Sequence, residues 1–257
     1  MKSLVAVFLV AALVAGCSQD GGLTAVESDA VGSSGPLTAA SLSDSRHNGN
    51  GAGEYEVTII NMSHSQPFSP GVVVTHDGTA SVFSSGSAAS EGIREIAENG
   101  NPGPAFDALN GAPGVSEVVN TGAPVFTKNG PGSDKLTLMI SAGEGAEYLS
   151  MAIMLICTND GFVGLDTVEL PKGPETAVFF PGAYDAGTEA NDELYTSIVD
   201  PCGAIGPVEA PADGMNNRTA TADNIEAHPG ISGGGDLDAT AHSWRNKVAR
   251  VTVKRIG

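Results

Sequence analysis

The chain has 257 residues, of which 34 are Gly and 15 Pro; 41% are apolar and only 16% charged. That is too apolar for a disordered chain and enough for one or two domains with cores of their own. Thirty acidic residues against twelve basic ones give a formal net charge of −18, which excludes a general nucleic-acid binder and speaks against docking on anionic lipid through a basic patch, since both need a positive surface.

The chain opens on an address. Lys2 supplies a small positive start, and Leu4 to Leu13 is an unbroken apolar run of ten residues. Such a run is too short to span a bilayer and suits the apolar part of a signal peptide. It ends in Val14-Ala15-Gly16-Cys17. Small residues just before a Cys resemble a bacterial lipobox, which implies a signal peptide over 1–16 and a lipidated Cys17 as the mature N-terminus. An ordinary secretory signal with a chance Cys is the alternative. Ser18 rather than Asp after the Cys resembles the lipoproteins sorted to an outer membrane, so the expected place is exported and membrane-anchored, at an outer membrane or cell surface. Residues 18–53 are mostly Gly, Ser, Ala, Thr and Asp, without apolar periodicity. With Cys17 they read as a flexible tether over 17–53, of r.m.s. reach roughly 30–35 Å.

Alternation begins at Glu54: Tyr55, Val57 and Ile59 are apolar while Glu56 and Thr58 are polar, the mark of a half-buried strand. Further strands are expected at Val72-Val73-Val74 and Ser81-Val82-Phe83, around the turn Asp77-Gly78. Later ones are expected at Val118-Val119, Val125-Phe126, Leu136 to Ile140, Tyr148 to Ile156, Phe162 to Leu170 and Ala177 to Phe180. At the end Val251 and Val253 alternate with polar residues. These ten candidate segments, most of them bounded by turn residues, give about eight or nine short strands, the pattern of a sandwich or barrel. One insertion reads as helical. Ser90 or Ser87 caps it, Ile93, Ile96 and Ala97 share a face, and Gly100 stops it. A second short helix starts at Pro104 and ends at Gly111. Residues 201–246 carry no strand pattern and read as an excursion over the core.

Five of the twelve basic residues lie in the last thirteen: Arg245, Lys247, Arg250, Lys254 and Arg255. They form either a partner-binding stripe or the outward face of a strand. If the first and last strands pair, Glu54 and Glu56 oppose this stripe and the chain ends meet. Two Cys besides Cys17 remain. Cys157 and Cys202 would close a loop of roughly 45 residues, for about 4 kcal/mol in chain-entropy terms; buried free thiols are the alternative. No CxxC or Cys/His cluster points to zinc.

Four segments, in order, carry a family resemblance: Tyr55 to Ser63 with Pro67-Phe68-Ser69-Pro70; Ala89 to Ile93 with Ala97-Glu98-Asn99-Gly100; Thr158 to Asp166; and Tyr184-Asp185-Ala186-Gly187-Thr188-Glu189. The chain resembles the spondin N-terminal domain over about residues 54–256. The resemblance implies an all-β fold, an antiparallel eight-stranded C2-like β-sandwich occupying 54–257, with one or two short helices in an insertion.

The resemblance also implies one bound calcium ion. Calcium takes oxygen ligands, mostly carboxylates, carbonyls and water. By the family's motifs its side-chain ligands here are Asp160, Asp185 and Glu189. Glu189 stands where animal members have Asp, and Gly161 where they carry Trp. Read without the resemblance, Asp before Gly is also ordinary turn chemistry. Asp236 and Asp238, after three glycines, look like a single turn of a glycine-rich calcium repeat, but no repeat exists to stack on it. His228-Pro229-Gly230 reads as a loop turn.

There is no GxSxG elbow, HExxH, Walker or dinucleotide fingerprint, and the expectation is no enzyme and no catalytic residue. The expected function is a lipid-anchored calcium-binding β-sandwich for adhesion, taking a protein or glycan partner at the surface and no nucleic acid. The alternatives are a structural envelope lipoprotein without an ion site and, remotely, a hydrolase.

Overall fold

The computed structural model describes residues 52–206 and 218–257. The signal peptide, Cys17 and nearly all of the expected tether lie outside the described residues. Four strands form one antiparallel sheet, in the order β4 (Lys135–Ala142), β1 (Gly53–Asn61), β10 (Ala249–Arg255), β7 (Thr176–Phe179). Six form the other: β3 (Val115–Asn120), β2 (Phe68–His76), β5 (Tyr148–Leu155), β6 (Gly161–Glu169), β8 (Ala183–Asp185), β9 (Glu226–Ala227). Eight of the ten have four residues or more, matching the expected count. The two short ones, β8 and β9, extend one edge of the six-stranded sheet.

Between the sheets lies one core. Tyr55, Val57 and Ile59 from β1 and Val251 and Val253 from β10 meet Val73, Met151 and Ile153 from the facing sheet. The alternation read in the sequence is therefore real for the four-stranded sheet, whose outer face is wet. The six-stranded sheet is covered on both sides. On its far face Val72, Val74, Ala152, Met154 and Phe162 pack in a second core with Ile93, Ile96, Ile198, Ile225 and Leu237. That is why Tyr148 to Ile156 reads as a nearly continuous apolar run, the mark of a strand buried on both faces. Each such side chain taken fully from water contributes about 1.5–3 kcal/mol.

The second core is roofed by α1 (Glu91–Asn99) and α2 (Gly103–Leu109). Ser90 caps α1 by accepting the Ile93 amide, and Gly100 ends it at φ +60, donating its N–H to the carbonyls of Glu95 and Ile96. A β-carbon at Gly92 would fall 2.7 Å from the Ala105 Cα, so the close approach of the two helices requires glycine there.

Three expectations are corrected. Ser81-Val82-Phe83 is not a strand; Phe83 is buried because its ring packs edge-on against Phe162 and Tyr184, with both centroids 5.0 Å away. Val125-Phe126 makes only an isolated bridge, Val125 to Phe68. The excursion after residue 200 is not structureless: it holds α3 (Pro201–Ile205), β9 and α4 (Ala239–His242), the last capped by the Asp238 carboxylate. Cys157 and Cys202 are joined by a disulfide that ties α3 to the end of β5.

The first and last strands do pair, with Glu56 directly opposite Lys254. On β10 the exposed Arg250 and Lys254 alternate with buried Val251 and Val253, so those two are the outward strand face. Among the described residues no helix is long and apolar enough to cross a membrane.

Candidate functional site

One end of the sandwich gathers the acidic turns. Thr158 makes the turn between β5 and β6: its hydroxyl donates to the Leu155 carbonyl (2.6 Å) and accepts the Gly161 amide (2.9 Å). This holds Asp160 at the start of β6. Gly161 then pairs with Asp185 on β8, and the Ala186 amide donates to the Asp160 carbonyl at 3.1 Å. The two acids are thus neighbours across a ladder.

Asp160 is fully buried. Its Oδ2 accepts the amides of Thr188 (2.7 Å) and Glu189 (3.0 Å) and the Thr188 hydroxyl (3.2 Å). Its Oδ1 has no hydrogen-bond partner among the described residues. Burial, then the nearby charge of Asp185, pushes the Asp160 carboxyl up to about 6 although the amides pull the other way. Asp185 is partly exposed. Its Oδ1 accepts the Gly187 amide at 2.8 Å, and its Oδ2 accepts from the Asn191 side chain. Gly187 sits at φ +71, and a β-carbon there would fall 2.7 Å from the Asp223 backbone, so the loop crossing demands glycine.

Glu189 does not join this pair. Only its backbone touches Asp160; its carboxylate lies 3.1 Å from the Arg218 guanidinium, which also stands 3.6 Å from Glu98 on α1. Burial pushes the Glu189 carboxyl up to about 8, with Arg218 opposing. Among the described residues no three His, Cys, Asp or Glu side chains converge to hold a metal. The oxygens that suit calcium chemically are the buried, unpartnered Oδ1 of Asp160 and the Asp185 carboxylate. Glu189, matched to a guanidinium, suits it poorly.

The end is braced from outside the turns. Asn159 accepts the Glu193 amide and donates to Asp192. The Glu193 carboxylate accepts the amides of Ser232 (2.6 Å), Gly233 (2.8 Å) and Gly234 (2.9 Å). Burial would raise that carboxyl, but these amides outweigh it and hold it below its ordinary range. So the Gly-rich turn binds a carboxylate of its own chain. Asp236 and Asp238 accept backbone amides of Tyr195, and of Thr240 and Ala241, and among the described residues no group of three metal-ligating side chains includes them. His228 does make its turn, accepting the Gly230 amide at Nδ1. Its ring also stands 3.0 Å from where a Gly161 β-carbon would be, occupying the space a larger residue at 161 would need.

Arg218, Glu193 and His228 were not legible as parts of this end. Arg218 and His228 reach it from distant sequence, Glu193 follows Glu189 closely but its carboxylate takes amides 39 to 41 residues further on, and only the glycines at 233–235 signalled a supply of backbone N–H groups.

No curated protein matches the chain. The family described as Spondin_N matches residues 61–200, more than half of the chain, spanning the Asp160 turn, β8 and the loop that follows it. The chain belongs to the spondin N-terminal domain family.

Proposed function

We propose that this extracellular-type β-domain is a non-enzymatic, lipid-anchored, exported module. It binds one calcium ion at the Asp160–Asp185 end and presents that end to another macromolecule, in adhesion. The observation that carries the ion is the Asp160 Oδ1: a carboxylate oxygen buried without a partner, beside a second carboxylate. A divalent cation would supply the missing partner and remove the repulsion between the two acids. Backbone carbonyls and water would complete the shell. With two carboxylates rather than three, affinity belongs at the weak end, Kd about 10⁻⁴–10⁻³ M, as in extracellular modules.

The topology supports display. The chain enters the sandwich at Gly53, beside Arg255 and Gly257. The far end of β1, Asn61, donates to the Gln66 carbonyl, and Gln66 donates to the Cys157 carbonyl. Nine residues of strand therefore separate the tether attachment from the acidic turns, roughly 25–30 Å. The acidic turns therefore lie at the end of the domain away from Gly53, where the preceding segment attaches.

The test is a thermal melt of the chain from residue 17 onward carrying Cys17→Ser, in EDTA and in titrated calcium, with magnesium as control. At about 10 mM calcium and a Kd of about 0.3 mM, linkage gives about 2 kcal/mol, or roughly 4–8 °C. Asp185→Asn removes most of this gain while the fold persists. No calcium-specific rise in the parent chain would eliminate the ion and leave a structural envelope lipoprotein.

A further inference from the structure

The basic residues near the chain end divide into two groups. Arg250 and Lys254 lie on the wet face of β10. Arg245 and Lys247 precede that strand and line a cavity of about 560 Å³ with Met62, His64 and Trp244. A second cavity, about 570 Å³, shares His64 and runs to Thr127, Asn129 and Gly130. None of the described residues lining either cavity is Asp or Glu, in a chain with thirty acidic residues.

Both cations are uncompensated. The ion pairs among the described residues draw on Arg94, Lys172 and Arg218, and none reaches Arg245 or Lys247. Lys247 Nζ stands 4.6 Å from the centre of the Phe180 ring, which places the ammonium without neutralising it. On a surface dominated by carboxylates, an acid-free hollow with two unmatched cations concentrates positive potential at one point. The hollow is also built. The Met62 amide donates to the Val248 carbonyl at 2.8 Å, the Ser65 hydroxyl to the Ser243 carbonyl at 3.2 Å and the Gln66 side chain to the His242 carbonyl at 2.7 Å. These bonds fix the loop after β1 against the loop before β10. Between the two cations Asn246 takes φ +39, a left-handed kink that Asn accepts more readily than most residues, and the residues on both sides of it line the cavity.

The walls indicate the ligand. Arg presents a planar fork that matches a carboxylate. Met62, half-exposed, and Trp244 give the first cavity an apolar wall, which a pyranose ring can meet with its C–H face. Beyond His64 the walls carry hydroxyl and amide groups but no charge. An anionic unit followed by a neutral, hydroxyl-rich one suits this order of walls. A peptide fits it less well: extended peptides add to open strand edges, and β1 and β10 are each paired on both sides. A densely charged polyanion would be repelled by a chain of net charge −18.

We propose that this groove binds an acidic glycan, with the carboxylate of a uronic acid against Arg245 and Lys247 and its neutral neighbour along His64 and Asn129. The site uses neither Asp160 nor Asp185. It goes beyond the calcium reading by naming a partner's chemistry.

Trp244 is the only Trp in the chain and lines the first cavity, so its emission reports on occupancy. The Cys17→Ser chain is titrated in EDTA with a tetrasaccharide that alternates glucuronic acid and N-acetylglucosamine. Parallel titrations use the neutral N-acetylglucosamine tetramer and an acetylated, amidated pentaglutamate. The ionic strength is about 0.15 M, where general attraction is screened beyond about 8 Å. The acidic tetrasaccharide gives a saturable change, and the other two bind about tenfold more weakly or not at all. Arg245→Gln with Lys247→Gln, both exposed, weakens the tetrasaccharide Kd about tenfold, confirmed by calorimetry. Lys172→Gln with Lys254→Gln, exposed cations outside both cavities, removes the same charge and leaves the Kd within about twofold of the parent. Equal weakening in the two pairs overturns the proposal, because net charge alone would then explain it. So does the absence of saturable binding, or binding of the neutral tetramer or of pentaglutamate as tight as that of the acidic tetrasaccharide. Since EDTA is present throughout, the result stands or falls apart from the ion.

Discussion

Replacing Asp160 with Asn should stabilise the ion-free protein. The side-chain oxygen of Asn can keep the contacts from the Thr188 and Glu189 amides that Asp160 Oδ2 now makes at 2.7 and 3.0 Å. Its NH₂ takes the place of the orphaned Oδ1 and gives Asp185 a donor instead of a like charge. The Asp160 carboxyl is raised from its ordinary 3.8 to about 6 by burial and then by Asp185. At about 1.4 kcal/mol per pH unit, keeping it ionised at neutral pH costs the fold about 3 kcal/mol. Losing the charge assistance of the amide bonds takes part of this back, leaving a gain of about 1–2 kcal/mol, or roughly 2–8 °C in Tm. The sign fixes the pH window. The folded state holds its proton above the unfolded value, so the cost is absent below about pH 3.8 and complete above about pH 6. Melts in EDTA at pH 7 and near pH 4 should therefore show a gap between the Asp160→Asn variant and the parent that closes in acid. The same variant should lose the calcium-dependent gain. A Tm in EDTA at pH 7 below that of the parent would refute the reasoning, because the charge would then be serving the loop amides and not waiting for a cation.

Three further outcomes are expected. Glu189, raised to about 8 chiefly by burial, keeps a proton in the fold that the unfolded chain loses near 4.5. Stability should therefore fall as pH rises between those values, and Glu189→Gln should flatten the upper part of the Tm–pH curve. Cys157→Ala with Cys202→Ala opens a loop whose ends are 45 residues apart and should cost about 4 kcal/mol in urea unfolding; no change in midpoint would show that the bond constrains nothing. Gly161→Trp should cost about 1–3 kcal/mol by overpacking, since even a β-carbon there lies 2.6 Å from the Thr158 hydroxyl and 3.0 Å from the His228 ring. His228→Ala should recover part of it, and additive costs in a double-mutant cycle would deny that the two compete for one space.

What the sequence made legible follows from range. Period-two alternation in β1 and β10 exposed the four-stranded sheet, because one face of it is wet. The charges on those strands even anticipated their pairing, Glu56 opposite Lys254. Ser90 and Gly100 bounded α1 because capping is local chemistry. Phe83 misled, since its burial comes from ring packing against Phe162 and Tyr184 and not from a strand ladder. The acidic turns could be located from their motifs, but the partners of each carboxylate could not. Glu189 is grouped with Asp160 and Asp185 by the family's motifs. Its side chain turns instead to Arg218, which approaches from 29 residues further on. β8 and β9 were missed because strands of three and two residues carry no measurable periodicity.

The acidic end owes its shape to cross-links that involve no ion. The disulfide fixes α3 to β5, and Gln66 bonds the carbonyls of Cys157 and His242. Glu193 gathers three amides of the glycine-rich turn. These constraints hold the turns against the body of the sandwich whatever the state of Asp160. The like-charge pair of Asp160 and Asp185 is then not a by-product of loose loops that could rearrange to relieve it. It is held in place by a frame that tolerates it, and the natural relief is a positive ligand from outside. A frame that is already rigid also loses little entropy when such a ligand binds. Binding at this end should consequently shift stability and surface charge while leaving the backbone where it is.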